Sequence, residues 1–207
     1  MKKTRKKILA VARNLFNEHG VADISLRRIA KEMGISHSNL IYHFKTKNDI
    51  IFQLHSDILN SAKVENEKLQ VEEDRIAGLW KTTLAGFGIL YEYRFFLLDL
   101  SYILKENRAL HDFFLEVERI RADMYLREID AWKEKGLMRE EEFQGEYLQL
   151  IKRIRIFSDS WITSSQVYDE GKSSNLIIQE YTSLLVSKFY PYLTEKGKIT
   201  YRNSFLS

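Results

Sequence analysis

A single proline, Pro191, stands in a sequence of 207 residues. An average chain of this length carries about ten, and each would remove a backbone donor and crowd the preceding helical turn. Helices can therefore run almost unbroken. Apolar residues recur at helical spacing along most of the chain, and no stretch alternates polar and apolar convincingly over strand length. The predicted fold class is all-α. The sequence has no cysteine, which excludes disulfides, thiolate metal sites and cysteine nucleophiles and suits a reducing compartment. No apolar run approaches the ~20 residues needed to span a bilayer, and the basic start is too quickly charged for a secretory signal. The expectation is a cytoplasmic protein with no membrane partner.

Charge is distributed unevenly. The formal net charge is +3, yet residues 1–50 carry eleven Lys/Arg against four Asp/Glu, a local +7 that leaves −4 for the rest. A basic first quarter on a mildly acidic body fits either an end that meets a polyanion or a solvated basic tail.

The basic quarter has a definite internal order. Ile8, Leu9, Ala12, Leu15 and Phe16 predict an amphipathic helix stopped by Gly20. Ser25 can cap a second, short helix with Leu26, Ile29, Ala30 and Met33 inward and Gly34 at its end. Ser36 can cap a third, to about Phe44. Thr46 and Asp49 form a box-like pair opening a fourth, with Ile51, Leu54, Ile58 and Ala62 inward. Further helices are expected over about Asp74–Tyr91, Phe95–Leu104, Arg108–Lys135 (ending at Gly136), Glu140–Glu170 (with Phe143 on its inward stripe, ending at Gly171) and finally Ser174–Tyr190.

Two short helices joined by a tight Gly-containing turn, inside a basic three-helix unit, are the helix-turn-helix arrangement, and double-stranded DNA is the partner it implies. Leu40 and Phe44 would pack the third helix. His37, Ser38, Asn39, Tyr42 and His43 would lie on its open side, with hydrogen-bonding and aromatic groups suited to base edges and phosphates. Lys47, in the first turn of the fourth helix, is a candidate phosphate ligand. The alternative is an ordinary polar surface helix.

These residues resemble the DNA-binding domain of the tetracycline-repressor (TetR) family of bacterial transcriptional regulators. The likeness runs from Thr4 to Ile50 through Ile8-Leu9, Ala12, Leu15-Phe16, Gly20, Ser25, Ile29-Ala30, Gly34-Ile35-Ser36, Leu40, His43-Phe44 and Lys47. The resemblance implies base contacts from His37, Ser38 and Asn39, a basic contribution from Arg27 and Arg28, and phosphate contacts from Tyr42, His43 and Lys47. Two positions depart from the pattern: Ser38 stands where a small residue, frequently Gly, is common, and Ile41 where Tyr is common. Ile41 donates no hydrogen bond and could touch a thymine methyl instead. The implied division is a DNA-binding domain over 1–47 and a helical effector-binding and dimerisation domain over 48–207.

Aromatic residues crowd the segment from Trp80 to Phe114. With the resemblance, Trp80, Phe87, Tyr91, Phe96, Tyr102, Phe114 and Trp161 become candidates for binding a small-molecule effector; as plain chemistry they could equally be core. The last two long helices carry more apolar face than one small core needs, so Ile151, Ile154, Trp161, Tyr181, Leu185 and Phe189 are expected at a homodimer interface. None of the five histidines follows a Glu three residues earlier, and no His-Glu-x-x-His occurs, so neither metal nor cofactor is expected. Glu140-Glu141-Glu142 read as residues opening a helix. The function expected is a ligand-responsive, DNA-binding repressor acting as a homodimer on a palindromic site. The alternatives are a ligand-independent regulator with a packed core, or a helical enzyme or carrier, which lacks a catalytic constellation.

Overall fold

A computed structural model of the chain describes residues 2–69 and 75–205. The described residues form α1 (Lys2–His19), α2 (Leu26–Glu32), α3 (His37–His43), α4 (Lys47–Leu69), α5 (Arg75–Glu92), α6 (Phe95–Leu98), α7 (Leu100–Glu106), α8 (Arg108–Glu134), α9 (Glu146–Tyr168), α10 (Ser174–Ser187) and α11 (Glu195–Phe205), with a 3-10 turn at Tyr190–Tyr192. Among them, extended pairing is confined to an isolated bridge between Met138 and Leu193. The fold is all-α. The start expected at Asp74 for the fifth helix lies outside the described residues.

The chain packs as two compact units, one of residues 1–63 and 89–111 and the other of residues 64–88 and 112–207. In the first, Ile8, Ala12 and Phe16 from α1, Ile29 from α2, Leu40 from α3 and Ile50 and Leu54 from α4 are almost wholly buried. The unit takes in a distant stretch of chain because α1 grips it. Asn17 Nδ2 donates to the Glu92 carbonyl (2.9 Å) while its Oδ1 accepts from Phe95 N–H (2.9 Å). Arg13 pairs with Glu92 and lies 5.0 Å from the centre of the Tyr93 ring, and Phe16 meets Phe95 at 5.2 Å between ring centroids. The single helix expected over Phe95–Leu104 is two, because Asp99 leaves helical geometry (φ −106°, ψ 17°) and turns its carboxylate to Val21 N–H at 2.7 Å.

In the second unit Phe87 stacks on Trp161 with centroids 4.5 Å apart and planes 9° from parallel, and Trp161 meets Tyr181 at 5.6 Å. The helix expected from Glu140 begins only at Glu146. Gly145 sits at φ 81°, a conformation costly for any residue with a Cβ, and this resets the chain direction. Phe143 is consequently exposed, not inward. The three glutamates precede the helix: Glu141 accepts from Gly145 and Tyr147 N–H (3.2 and 2.8 Å). Arg139 and the Glu142 N–H hold Glu146 (2.8 Å each), keeping its carboxyl far below the ordinary range, near 2.

The last helix expected, to Tyr190, stops at Ser187, and α11 follows it. Thr194 supports the start of α11: its carbonyl accepts Lys198 N–H (2.8 Å) and its hydroxyl Gly197 N–H (3.1 Å). The helix lies so close to its neighbour that a Cβ built on Gly197 would stand 2.0 Å from the Leu137 carbonyl oxygen.

His55, on α4, is buried and stacks on Phe96 at 4.8 Å. Burial disfavours the charged imidazolium and lowers its pKa to about 4. Between that value and the ordinary one near 6.5 the unfolded chain binds the extra proton and the folded chain does not. Stability therefore falls as pH falls through this window, by about 3 kcal/mol at pH 4 for this residue. His55→Leu should remove that component: urea melts from pH 7.5 to 4 should show the stability difference between wild type and variant closing by that order.

Candidate nucleic-acid interface

The exposed face of α3 is held by local chemistry that is fully accounted for. At the end of α2, Gly34 adopts φ 66°, its N–H bonds to the Lys31 carbonyl (3.1 Å), and the Ile35 N–H reaches the Ala30 carbonyl (3.0 Å). This paired closure satisfies two end carbonyls and needs a left-handed residue, which glycine supplies without strain. Two residues later Ser36 Oγ accepts Asn39 N–H (3.1 Å) and starts α3. Ser25 caps α2 in the same way through Arg28 N–H (3.2 Å). The Thr46–Asp49 box closes reciprocally at 3.1 and 2.9 Å.

Leu40 and Phe44 turn into the core at 0% and 2% exposure, and that fixes which side of α3 faces out. Ser38, Asn39, Ile41 and Tyr42 are exposed, His37 and His43 half-buried. Tyr42 is 71% exposed and Ile41 38%. The Tyr42 and His43 rings meet edge to face at 5.3 Å. Arg27 and Arg28 are exposed on α2. The structure thus brings eight of the nine expected residues, Arg27, Arg28, His37, Ser38, Asn39, Ile41, Tyr42 and His43, onto the outer faces of these two helices.

Lys47 is the exception. Its ammonium donates to the Val21 carbonyl at 2.6 Å, and burial lowers its pKa despite the nearby carboxylates of Asp23, Asp99 and Glu106. Two other cations, not singled out from the sequence, border α3. Arg5 lies 4.3 Å from the centre of the Phe44 ring and donates to the His43 carbonyl (3.4 Å) and Gln53 Oε1 (3.3 Å). With Lys45, Tyr42 and His43 it lines an open cleft of about 320 Å³. The spacing of Arg5 to Ile8 and Leu9 on α1 carried a signal, since a residue one turn before the core stripe lies beside it.

The expected effector residues divide between the units. Tyr91, Phe96 and Tyr102 belong to the first; Trp80, Phe87, Phe114 and Trp161 belong to the second. Phe87 and Trp161 are 3% and 1% exposed and packed on each other, and Phe96 is filled against His55, whereas Tyr102 is exposed. Tyr91 lies under Arg94 (5.6 Å), and Trp80 meets Phe205 at 6.2 Å. Phe114 is half-buried.

The residues expected at a dimer interface require correction. Ile151, Ile154, Trp161, Tyr181, Leu185 and Phe189 are all under 9% exposed in the single chain, so they form its own core. The apolar residues that α9 and α10 do present are others: Leu148, Ile156 and Val167, and Leu176 and Leu184.

The sequence profile described as bacterial regulatory proteins, tetR family, matches residues 8–54, and the TetR profile described as bacterial transcriptional repressor matches residues 58–201. An HTH-type transcriptional regulator of Staphylococcus aureus (strain bovine RF122 / ET3-1) is 46% identical over 57 residues, 28% of this chain; the match spans only 31% of that relative's length. A TetR-family transcriptional regulator from Marinobacter aquaeolei VT8 superposes with a TM-score of 0.82 at 22% identity, over 97% of both chains. A protein from Saccharomonospora viridis, solved in complex with choline, gives 0.73 at 18% identity, over 94% of this chain and 100% of that one. At these identities the structural likeness shows the fold.

The cap on α3 makes a direct prediction. Ser36→Ala should lower stability by about 1 kcal/mol, the ordinary cost of a lost N-cap, and Ser36→Thr should restore most of it. Urea denaturation followed by helical circular dichroism checks both.

Proposed function

The chain belongs to the TetR family of bacterial transcriptional regulators, and from that premise we propose that it is a sequence-specific DNA-binding repressor. In this reading residues 1–47 read a palindromic operator. Residues 48–207 dimerise and hold a small-molecule effector whose binding tilts α4 and releases the DNA. The protein would act in the cytoplasm, where its DNA partner is.

The observation that carries the reading is the outer face of α3. A helix held by two buried anchors and a serine cap turns His37, Ser38, Asn39, Ile41 and Tyr42 away from the core. Asn39 and His37, with Arg27 from α2, carry the donors and acceptors that discriminate base edges, and Ile41 offers an apolar touch to a thymine methyl. Tyr42, His43, Arg5 and Lys45 suit phosphate oxygens. Selection of genomic fragments bound by the purified chain, followed by gel shift with the DNA upstream of its own gene, tests the function; no retained duplex would overturn it.

A ligand-independent regulator is the second reading, and the tight Phe87–Trp161 stack favours it. Thermal-shift screening separates the two, with choline among the first compounds because the Saccharomonospora viridis protein is solved with it. A compound that raises the melting temperature and lowers operator affinity supports effector control.

Two predictions follow from the surfaces. Asn39→Ala should relax base preference at one position per half-site, costing about 1–3 kcal/mol on the preferred base and little on the others; sequence-selection profiles of wild type and variant check it. The exposed stripes of α9 and α10 support a two-fold four-helix interface. Ile156→Glu with Leu184→Glu should therefore yield a folded monomer in sedimentation at micromolar concentration, where wild type sediments as a dimer.

A further inference from the structure

The two peptide groups that flank the Val21 Cα are each held by a side chain. The Val21 N–H donates to Asp99 Oδ2 at 2.7 Å, and the Val21 carbonyl accepts from Lys47 Nζ at 2.6 Å. Val21 is fully buried, two residues after the end of α1, and only four residues separate it from α2. Asp99 stands where α6 gives way to α7, and Lys47 is the first residue of α4. Three elements therefore meet at one residue, and the position at which α2 leaves α1 is set there.

The charges around Lys47 point the same way. Asp23, Asp99 and Glu106 all act on its ammonium. A phosphate brought to that ammonium would be opposed by the field of these carboxylates, while one of the ammonium's three N–H donors stays on the Val21 carbonyl. Lys45, two residues earlier, is exposed.

We propose that Lys47 is a positioning residue and not a phosphate ligand: with Asp99 it clamps the two peptide groups on either side of Val21 and so holds α2 and α3 in the orientation that reads DNA. Asp99 is the second half of the device, acting on DNA affinity without touching DNA. A displacement of the α6–α7 break would be passed to the reading helices through the backbone at Val21. The inference rests on the DNA-binding function proposed above.

The test is affinity of the full chain for a selected duplex, measured as a function of potassium chloride concentration. Lys47→Met and Asp99→Ala should each weaken binding about tenfold at every salt concentration, leaving the slope of log K against log salt unchanged. Lys45→Ala should instead flatten the slope by about 0.9 per lost contact, about 1.8 for a dimer. Asp99→Asn keeps an acceptor oxygen and should recover most of the affinity. Because both residues act through Val21, the Lys47→Met/Asp99→Ala double variant should be little weaker than either single one. Amide exchange should accelerate at Val21 in Asp99→Ala, a local signature that general destabilisation would not confine to one peptide. If Lys47→Met fails to fold, the Asp99 pair of variants and the exchange measurement decide the matter alone. A flattened slope in Lys47→Met together with unchanged affinity in Asp99→Ala overturns the clamp while leaving the DNA-binding function standing. Failure of wild type to bind any selected duplex overturns that function and the clamp's role with it.

Discussion

A helix of seven residues has no stability of its own: nucleation costs more than so few hydrogen bonds return. α2 and α3 are both of this length, so everything outside the first unit's core that they present depends on what holds them. Three kinds of support converge. Serine caps satisfy the first amides, the Gly34 closure satisfies the last carbonyls of α2, and burial of Ile29, Ala30, Leu40 and Phe44 supplies the apolar term. A buried leucine or phenylalanine contributes about 1.5–3 kcal/mol, more than a cap contributes, so the anchors decide the pose and the caps decide the register.

That core in turn depends on chain far away in sequence. Asn17 uses both ends of its amide on the α5–α6 junction, and Asp99 reaches back to Val21 across 78 residues. Closing a loop of that length costs only slightly more entropy than closing a shorter one, so a few well-placed hydrogen bonds and the Phe16–Phe95 contact can incorporate the segment. Packing and function consequently need not divide the chain at the same place. The first compact unit extends through residues 89–111, whereas the residues proposed to face DNA all precede residue 48.

What was legible in the sequence was local. Ser25, Ser36, the Thr46–Asp49 box, Gly34, and the inward positions of Leu40 and Phe44 are all settled within four or five residues, and the structure has each of them as expected. Readings that depended on partners elsewhere fared differently. The break at Asp99 answers Val21; the fate of Lys47 is decided by a carbonyl 26 residues away. α9 starts at Glu146 because Gly145 turns the chain and Arg139 pins Glu146, neither visible as periodicity. On α9 and α10 periodicity found apolar stripes but could not say which stripe met the chain's own core. Two-sided helices carry one of each.

The distribution of charge on the first unit separates two physical tasks. The outer face of α3 carries no lysine or arginine; its exposed groups are hydroxyl, amide, aromatic and aliphatic. Exposed cations lie on the neighbouring elements instead, with Lys3, Arg5, Lys6 and Lys7 on α1, Arg28 on α2 and Lys45 after α3. Attraction from these flanks acts over about a Debye length, ~8 Å at physiological salt, and is indifferent to sequence. Short hydrogen-bonding groups and the Ile41 methyls act only in contact and are nearly indifferent to salt. A surface arranged in this way can gather DNA by one set of residues and discriminate by another.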